Sequence, residues 1–364
     1  MTNHSYTVTY NREYTHNDIR TKLMLVDVYE SAKPDSENDH NLVKIYVPRV
    51  FTGTCANISM MRSDQGLIDI LKWFDSIGCS HPIVLKFSQY IWKGTNIGID
   101  SKSYEYRILL SIYCGLAAGV DDFMDSTFVE NPNFDIYKWM VFSIADVFKH
   151  GKSQEPIKPK TAIDGFNEVL TEEASELLRV YGLYVEYCGQ VMSETDFNEY
   201  RRMCAIQQRS FGEIEAPLVR SLMAEKRMAN MEEYLLFANL PCGYFTFIPF
   251  VHQGSYDHLD HMDTSIAICH LLFRLTNDVI SYPKESKVFE PFNRVIELVK
   301  SGHSPQEAMQ SVADRCSRLL FSIETVYEHC PKERKPFILH VIRKVAQSID
   351  VMLNATFRYG WKNV

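Results

Sequence analysis

From residue 64 onward, apolar residues recur at three- and four-residue spacing in one long segment after another, with no alternation of strand, turn and helix. That pattern argues against a parallel α/β sheet, whose strands need helical crossovers between them. "DQGLIDILKWFDSI" puts Leu67, Ile70, Leu71 and Phe74 on one face, with Asp64 as the expected N-cap. Further helices are predicted over about 103–125, at "DIYKWMVFSIADVFKH", and over about 163–188, 194–224, 230–251, 263–286, 288–300, 304–329 and 331–356. "HGKSQEPIKPKT" reads as a polar loop. The expectation is an all-α, single-domain bundle over residues 61–364, preceded by an irregular segment over 1–60. In that segment "YTVTY" and "LVKIYVPRVFTG" have β-type composition, but no partner strands of similar quality follow.

Composition narrows the function. Hydrophobic residues make up 46% of the chain, the share of a globular protein rather than a disordered one. The net charge of -8 comes without a basic patch or stripe, so no nucleic-acid partner is expected. Nine scattered cysteines with no CxxC pair speak against a disulfide framework and a cysteine-based zinc site. They point to a reducing, cytoplasmic setting. "YFTFIPFV", the most apolar run, is far too short to span a bilayer, and the N-terminus lacks an apolar core of signal-peptide length. A soluble monomer or homodimer is expected.

Two polar motifs break out of apolar helical surroundings. "GVDDFMDS" carries Asp121, Asp122 and Asp125. Asp121 and Asp125, four apart, share a helix face, and Asp122 is turned about 100° away. Like charges at this spacing destabilise a helix by a few tenths of a kcal/mol. At the expected helix end the macrodipole opposes them as well. Either this is a solvated acidic terminus or a hard divalent cation sits there; Mg2+ suits one or two carboxylates plus substrate phosphates.

The second motif is "LTNDVISYPKE". Asn277, Ser281 and Glu285 fall at i, i+4 and i+8, one helical stripe drifting about 40° per step. An amide carbonyl, a hydroxyl and a carboxylate all offer oxygen to a hard cation. A polar face on a surface helix is the plain alternative, and Pro283 inside the motif is expected to end or bend the helix. Taken together, the two motifs favour a two-sided divalent-metal site.

"DDFMD" followed by "NDVISYPKE" resembles the DDxxD and NDxxSxxKE motifs of class I terpene synthases (terpene cyclases) of the microbial type. Arg358-Tyr359, 81 residues after Asn277, matches the Arg-Tyr pair near the end of family members. The resemblance covers about residues 60–364. It implies a helical bundle with a deep apolar cavity, three Mg2+ ions at its mouth, and a prenyl diphosphate substrate. By the same resemblance Asp121 is the principal metal ligand on one wall, with Asp125 beside it and Asp122 paired to a basic side chain. Asn277, Ser281 and Glu285 would hold one Mg2+ opposite, and Lys284, Arg358 and Tyr359 would donate to the diphosphate. Tyr113 and Ala117, on the Asp121 face, with Gly243, Ile266 and Phe273, are the candidates for the cavity wall. The N-terminal segment would pack over the active site.

One element departs from the family pattern. "EEYLLFANLPCGYF" fits the frame of EYLxxRRxTxG, and Gly243 matches its glycine, yet Ala238 and Asn239 replace the arginine pair and Pro241 adds a break. Arg227 or Arg209 would have to supply the diphosphate-sensing charge from a shifted position. The implied reaction is Mg2+-dependent ionisation and cyclisation of a linear prenyl diphosphate. The small residues of "LAAG" favour geranylgeranyl diphosphate, with farnesyl diphosphate next. The alternatives are a chain-elongating prenyl diphosphate synthase, which would carry a second DDxxD in place of "NDVIS", and a non-catalytic isoprenoid-binding helical protein.

Overall fold

The structure, a computed structural model, describes residues 13–16, 19–26, 42–48, 63–95, 97–98, 100–130, 134–150, 168–240, 243–252, 256, 264–335, 337–339, 352 and 362–363. The protein is all-α in class, with one small sheet. The chain divides into two compact units, residues 57–224 with 240–258, and residues 1–56 with 225–239 and 259–364.

The first unit holds α1 (Asp64–Ser76), α2 (Pro82–Gly94), α3 (Tyr104–Glu130), α4 (Phe134–His150), α5 (Glu168–Val191) and α6 (Glu194–Ser210). A π-helical turn, Phe211–Glu215, leads from α6 into α7 (Ala216–Glu225). The N-cap of α1 is Ser63, whose hydroxyl accepts from the Gly66 N–H; the expected cap, Asp64, is the first helical residue instead. Both types suit either place, since a carboxylate in the first turn is also favoured by the dipole.

α3 is buried on nearly every side through its first half, from Tyr106 to Leu116, as its largely apolar run requires; the buried Arg107 in it donates to the Trp92 carbonyl (3.0 Å). Its closest neighbour is α2, and glycine sets the approach. An added Cβ at Gly115 would stand 2.0 Å from Ser88 Oγ and 2.5 Å from the Val84 carbonyl oxygen. At Gly119 it would stand 2.6 Å from Val84 Cγ2. Deeper in, Tyr113 packs edge-on against Tyr200 and Phe247 and stacks with Tyr184. Its hydroxyl donates to Gln207 Oε1 (3.0 Å) and accepts from Thr246 Oγ1 (3.3 Å), so this buried phenol is satisfied.

Asp196, in the first turn of α6, gathers three donors. Lys102 Nζ (2.6 Å) and the Tyr256 hydroxyl reach its Oδ1, and the Tyr106 hydroxyl (2.8 Å) reaches Oδ2. Burial alone would raise the Asp196 carboxyl, but these hydrogen bonds outweigh it and hold the group below its ordinary value.

In the second unit lie β1 (Glu13–His16), β2 (Ile19–Val26), β3 (Leu42–Pro48), α8 (Met231–Ala238), α10 (Thr264–Glu285), α11 (Arg294–Lys300), α12 (Pro305–His329) and β4 (Lys362–Asn363). α9 (Gly243–Val251) belongs to the first unit. The N-terminal residues, expected to be irregular, thus supply three strands of a four-stranded sheet ordered β3-β2-β1-β4. β2 and β3 run parallel, and β1 is antiparallel to both β2 and β4. One of the two partners of β1, β4, comes from the far end of the sequence, so local composition could not reveal that pairing. β3 is an edge strand, and α12 covers the edge: Lys44 exchanges two hydrogen bonds with the Gln310 carboxamide, and the Tyr46 N–H donates to Ser317 Oγ (2.9 Å). Val43, Ile45 and Val47 are fully buried.

Three further expectations change. The helix predicted over 230–251 is two helices, α8 ending at Ala238 and α9 beginning at Gly243. α3 extends to Glu130, beyond the expected end near residue 125. The π-helical turn had no counterpart in the reading of residues 194–224 as continuous helix. The loop at 151–161 and most of the helix predicted over 331–356 lie outside the described residues. No described helix is long and apolar enough to cross a membrane.

Two outcomes follow from this packing. Gly115→Leu forces α2 and α3 apart and lowers unfolding stability by about 1–3 kcal/mol, read by urea denaturation; an unchanged midpoint would contradict the close contact. Because the Asp196 pKa is depressed in the fold, its stabilisation is full above 3.8 and is lost as pH falls through the folded value. Asp196→Asn should therefore flatten the acid limb of the thermal midpoint plotted against pH.

Candidate metal centre

Asp121 stands exposed on α3, five residues past Leu116, and Asp122 is half-buried. Since α3 continues through Glu130, these residues are well inside the helix, and Asp125 is on its backbone as well. The dipole penalty expected of a helix end therefore does not reach Asp121, because the effect fades within the last turn. Repulsion at i, i+4 spacing remains. Ala117, one turn before Asp121, is half-buried.

α10 carries the second motif. It runs unbroken through Glu285 although Pro283 lies within it, so the expected interruption does not occur. Pro283 falls in the last turn, where only the bond to the Val279 carbonyl is forfeited. Asn277, Ser281 and Glu285 consequently share one helical stripe. Ile266 is buried and Phe273 half-buried on the same helix, and Lys284 is exposed. Gly243 opens α9. Arg358 and Tyr359 lie outside the described residues.

The stripe is held from behind by a residue the motif does not contain. Asn293 is buried and is the N-cap of α11: its Oδ1 accepts from the Val295 and Ile296 N–H groups at 2.9 and 3.1 Å. Its Nδ2 donates to Glu285 Oε2 (2.8 Å), to the Asp278 carbonyl (3.0 Å) and, more distantly, to Ser281 Oγ (3.4 Å). Ser281 Oγ in turn donates to the Asn277 carbonyl (2.7 Å). The Asn277 amide nitrogen approaches Met352 Sδ at 3.6 Å.

Asp278 faces away from the stripe into the protein. Its Oδ2 accepts from the Tyr234 hydroxyl (2.8 Å) on α8 and from the Arg294 N–H (3.0 Å). Burial pushes its pKa up to about 8, with Glu285 adding to the rise, while the Arg294 N–H, Tyr234 and Arg274 pull it down. Arg274 lies over the Phe237 ring at 4.0 Å, and Phe237 stacks on Phe292.

Sequence reasoning missed Asn293 and Tyr234. Asn293 had a signal, being a capping residue type directly before the helical run "RVIELVK"; Tyr234 stands in the "EEYLLFANLPCGYF" frame, which did not reveal its partner Asp278. Of the two arginines considered for diphosphate sensing, Arg227 grips Glu233 with two bonds of 2.7 Å and also pairs with Glu225. It braces the capping box of α8. Arg209 is exposed. Among the described residues no three His, Cys, Asp or Glu side chains converge as a metal cluster; the α10 stripe is of a different kind, a mixed amide, hydroxyl and carboxylate set.

The family model "Terpene synthase family 2, C-terminal metal binding" matches residues 136–320, which include the whole of α10 and begin after "DDFMD". No curated protein matches the chain. Among solved structures, 2-methylisoborneol synthase from Streptomyces coelicolor A3(2), in complex with Mg2+ and geranyl-S-thiolodiphosphate, is 15% identical with a TM-score of 0.58, covering 82% of this chain and 92% of that one. Its complex with Mg2+ and 2-fluorogeranyl diphosphate gives 13% and 0.56, covering 82% and 94%. The SVS_A2 protein from ancestral sequence reconstruction is 11% identical with a TM-score of 0.54, covering 79% and 85%. These likenesses concern the fold. The family model spans half of the chain and identifies it: the protein belongs to terpene synthase family 2 and is a class I terpene cyclase.

Proposed function

We propose that this cyclase ionises a linear prenyl diphosphate with Mg2+ and closes the resulting allylic cation into a terpene hydrocarbon or alcohol. The observation that carries the proposal is the α10 stripe, with Glu285 and Ser281 held by hydrogen bonds from Asn293. Mg2+ fits this donor set, because all three side chains offer oxygen and the carboxylate is already steadied from behind. Bound Mg2+ supplies positive charge for the departing diphosphate. Mg2+ complexes of the 2-methylisoborneol synthase support the choice of metal; three ions are proposed from the motif resemblance.

Asn277, Ser281 and Glu285 would hold one ion, and Asp121 with Asp125 would hold the others. Lys284, Arg358 and Tyr359 would donate to the diphosphate oxygens. Breaking the allylic C–O bond sends the electron pair to the diphosphate, where fixed donors meet the charge as it forms. A distant double bond gives its π electrons to the carbon left positive, closing a ring and passing the charge on, and the cascade ends by loss of a proton or capture of water. Until then water must be kept out, and an apolar lining is the role proposed for Tyr113, Ala117 and Gly243 in the first unit and for Ile266 and Phe273 in the second.

Geranylgeranyl diphosphate is the expected substrate, and farnesyl diphosphate the next. Gly119 adds no room for the longer chain, since Val84 and Leu177 already occupy the space beside it. The longer substrate therefore rests on Ala117 and Ala118.

Purified protein incubated with Mg2+ and C10, C15 or C20 diphosphates should release diphosphate and yield a volatile product, read by gas chromatography with mass detection. An elongated diphosphate would replace cyclisation by chain extension, and no diphosphate release from any substrate would end the proposal. Asp121→Ala and Asn277→Ala should each lower turnover at least about 100-fold with the helical circular-dichroism signal intact. Wild-type rates would remove the metal assignment.

A further inference from the structure

We propose that Asn293 is a positioning residue for the metal site, setting the side chains of Glu285 and Ser281 in the geometry that binds the cation. The inference rests on the reading of the α10 stripe as the Mg2+ site. Asn293 lies eight residues beyond Glu285, outside the motif and on the next structural element, and it is buried. Its carboxamide has two ends and uses both. The oxygen caps α11 through two backbone N–H groups. The nitrogen spends its donors on the stripe, 2.8 Å from Glu285 Oε2 and 3.4 Å from Ser281 Oγ, and on the Asp278 carbonyl between the ligands Asn277 and Ser281 at 3.0 Å.

The chemistry selects asparagine. A carboxylate ligand at the end of a helix has several rotatable bonds and would lose their freedom each time it bound a cation. A fixed N–H donor to one carboxylate oxygen removes much of that loss in advance. Outer partners of this kind orient metal ligands, and losing them costs about 10–100-fold in metal affinity or activity. Serine or aspartate at 293 would keep a capping oxygen for α11, but neither has an N–H to give to Glu285, and aspartate would set a second carboxylate against it. The α11 cap is itself anchored from α10, because Asp278 Oδ2 accepts from the Arg294 N–H. Asn293 is thereby held in place independently of the bonds it makes to the stripe.

The cap and the positioning role separate experimentally in Asn293→Ser and Asn293→Asp. Binding of Mn2+ in the presence of inorganic diphosphate is followed by electron paramagnetic resonance, alongside thermal unfolding and the Mg2+ dependence of turnover. The expected result is a thermal midpoint close to wild type with Mn2+ affinity reduced about 10–100-fold. Half-maximal turnover should move to higher Mg2+ by a similar factor, and Asn293→Asp should be the more impaired. Wild-type Mn2+ affinity in folded Asn293→Ser overturns the inference and leaves the metal site standing. Loss of folding in both variants also overturns it, because Asn293 would then act through the α11 cap. If the unaltered protein takes up no Mn2+ with diphosphate, the metal reading of the stripe fails and the inference falls with it.

Discussion

The hydrogen bonds that tie the end of α10 to the start of α11 are the constraint on which the second unit's chemistry depends. Two buried polar side chains make them. Asp278 reaches forward to the Arg294 N–H, and Asn293 reaches back to Glu285, Ser281 and the Asp278 carbonyl. Burying a carboxyl and a carboxamide is unfavourable unless their bonding capacity is met. Here Tyr234 and two α11 backbone amides complete the set. A network satisfied in this way is rigid, because loosening any one bond exposes a buried polar group. The oxygen-bearing stripe of α10, with Ser281 buried and Asn277 and Glu285 half-buried, inherits that rigidity.

In the first unit the corresponding constraint is steric. Glycines at 115 and 119 let α3 lie almost backbone-to-backbone on α2, and nothing larger fits. The tight seam runs up to the turn before Asp121. Beyond it the helix continues to Glu130, so Asp121 and Asp125 stand on regular backbone rather than at a fraying end. Their mutual repulsion is the energetic oddity that remains, and a divalent cation would relieve it. A protein of net charge -8 that is proposed to take a diphosphate needs positive charge delivered locally. The metal, together with Lys284, Arg358 and Tyr359, is the proposed source.

The missing arginine pair of the family pattern bears on how substrate binding would be sensed. At Ala238 and Asn239 the chain ends one helix, and four residues later it begins another. Arg227 is occupied with Glu233 and Glu225 at the start of α8, and Arg274 is spread over Phe237. Both arginines do structural work on the same short helix.

Much of this protein was legible in its sequence. Helical periodicity determined the fold class, because apolar spacing along a helix is a local property. The spacing of Asn277, Ser281 and Glu285 determined that three oxygen donors share a face wherever the helix persists. What periodicity could not decide was whether it persists through Pro283, where α3 ends, or that residues 194–225 contain a π turn. Those outcomes depend on packing around the helix. Tertiary structure alone also decided the sheet, whose first strand pairs with residues 362–363, and the partnership of Asp278 with Tyr234, 44 residues away. Asn293 shows the boundary most clearly. Its residue type and place announced a helix cap, but only the fold could turn its other end toward Glu285, because a side chain's second partner is fixed by where the neighbouring helix lies and not by its own sequence.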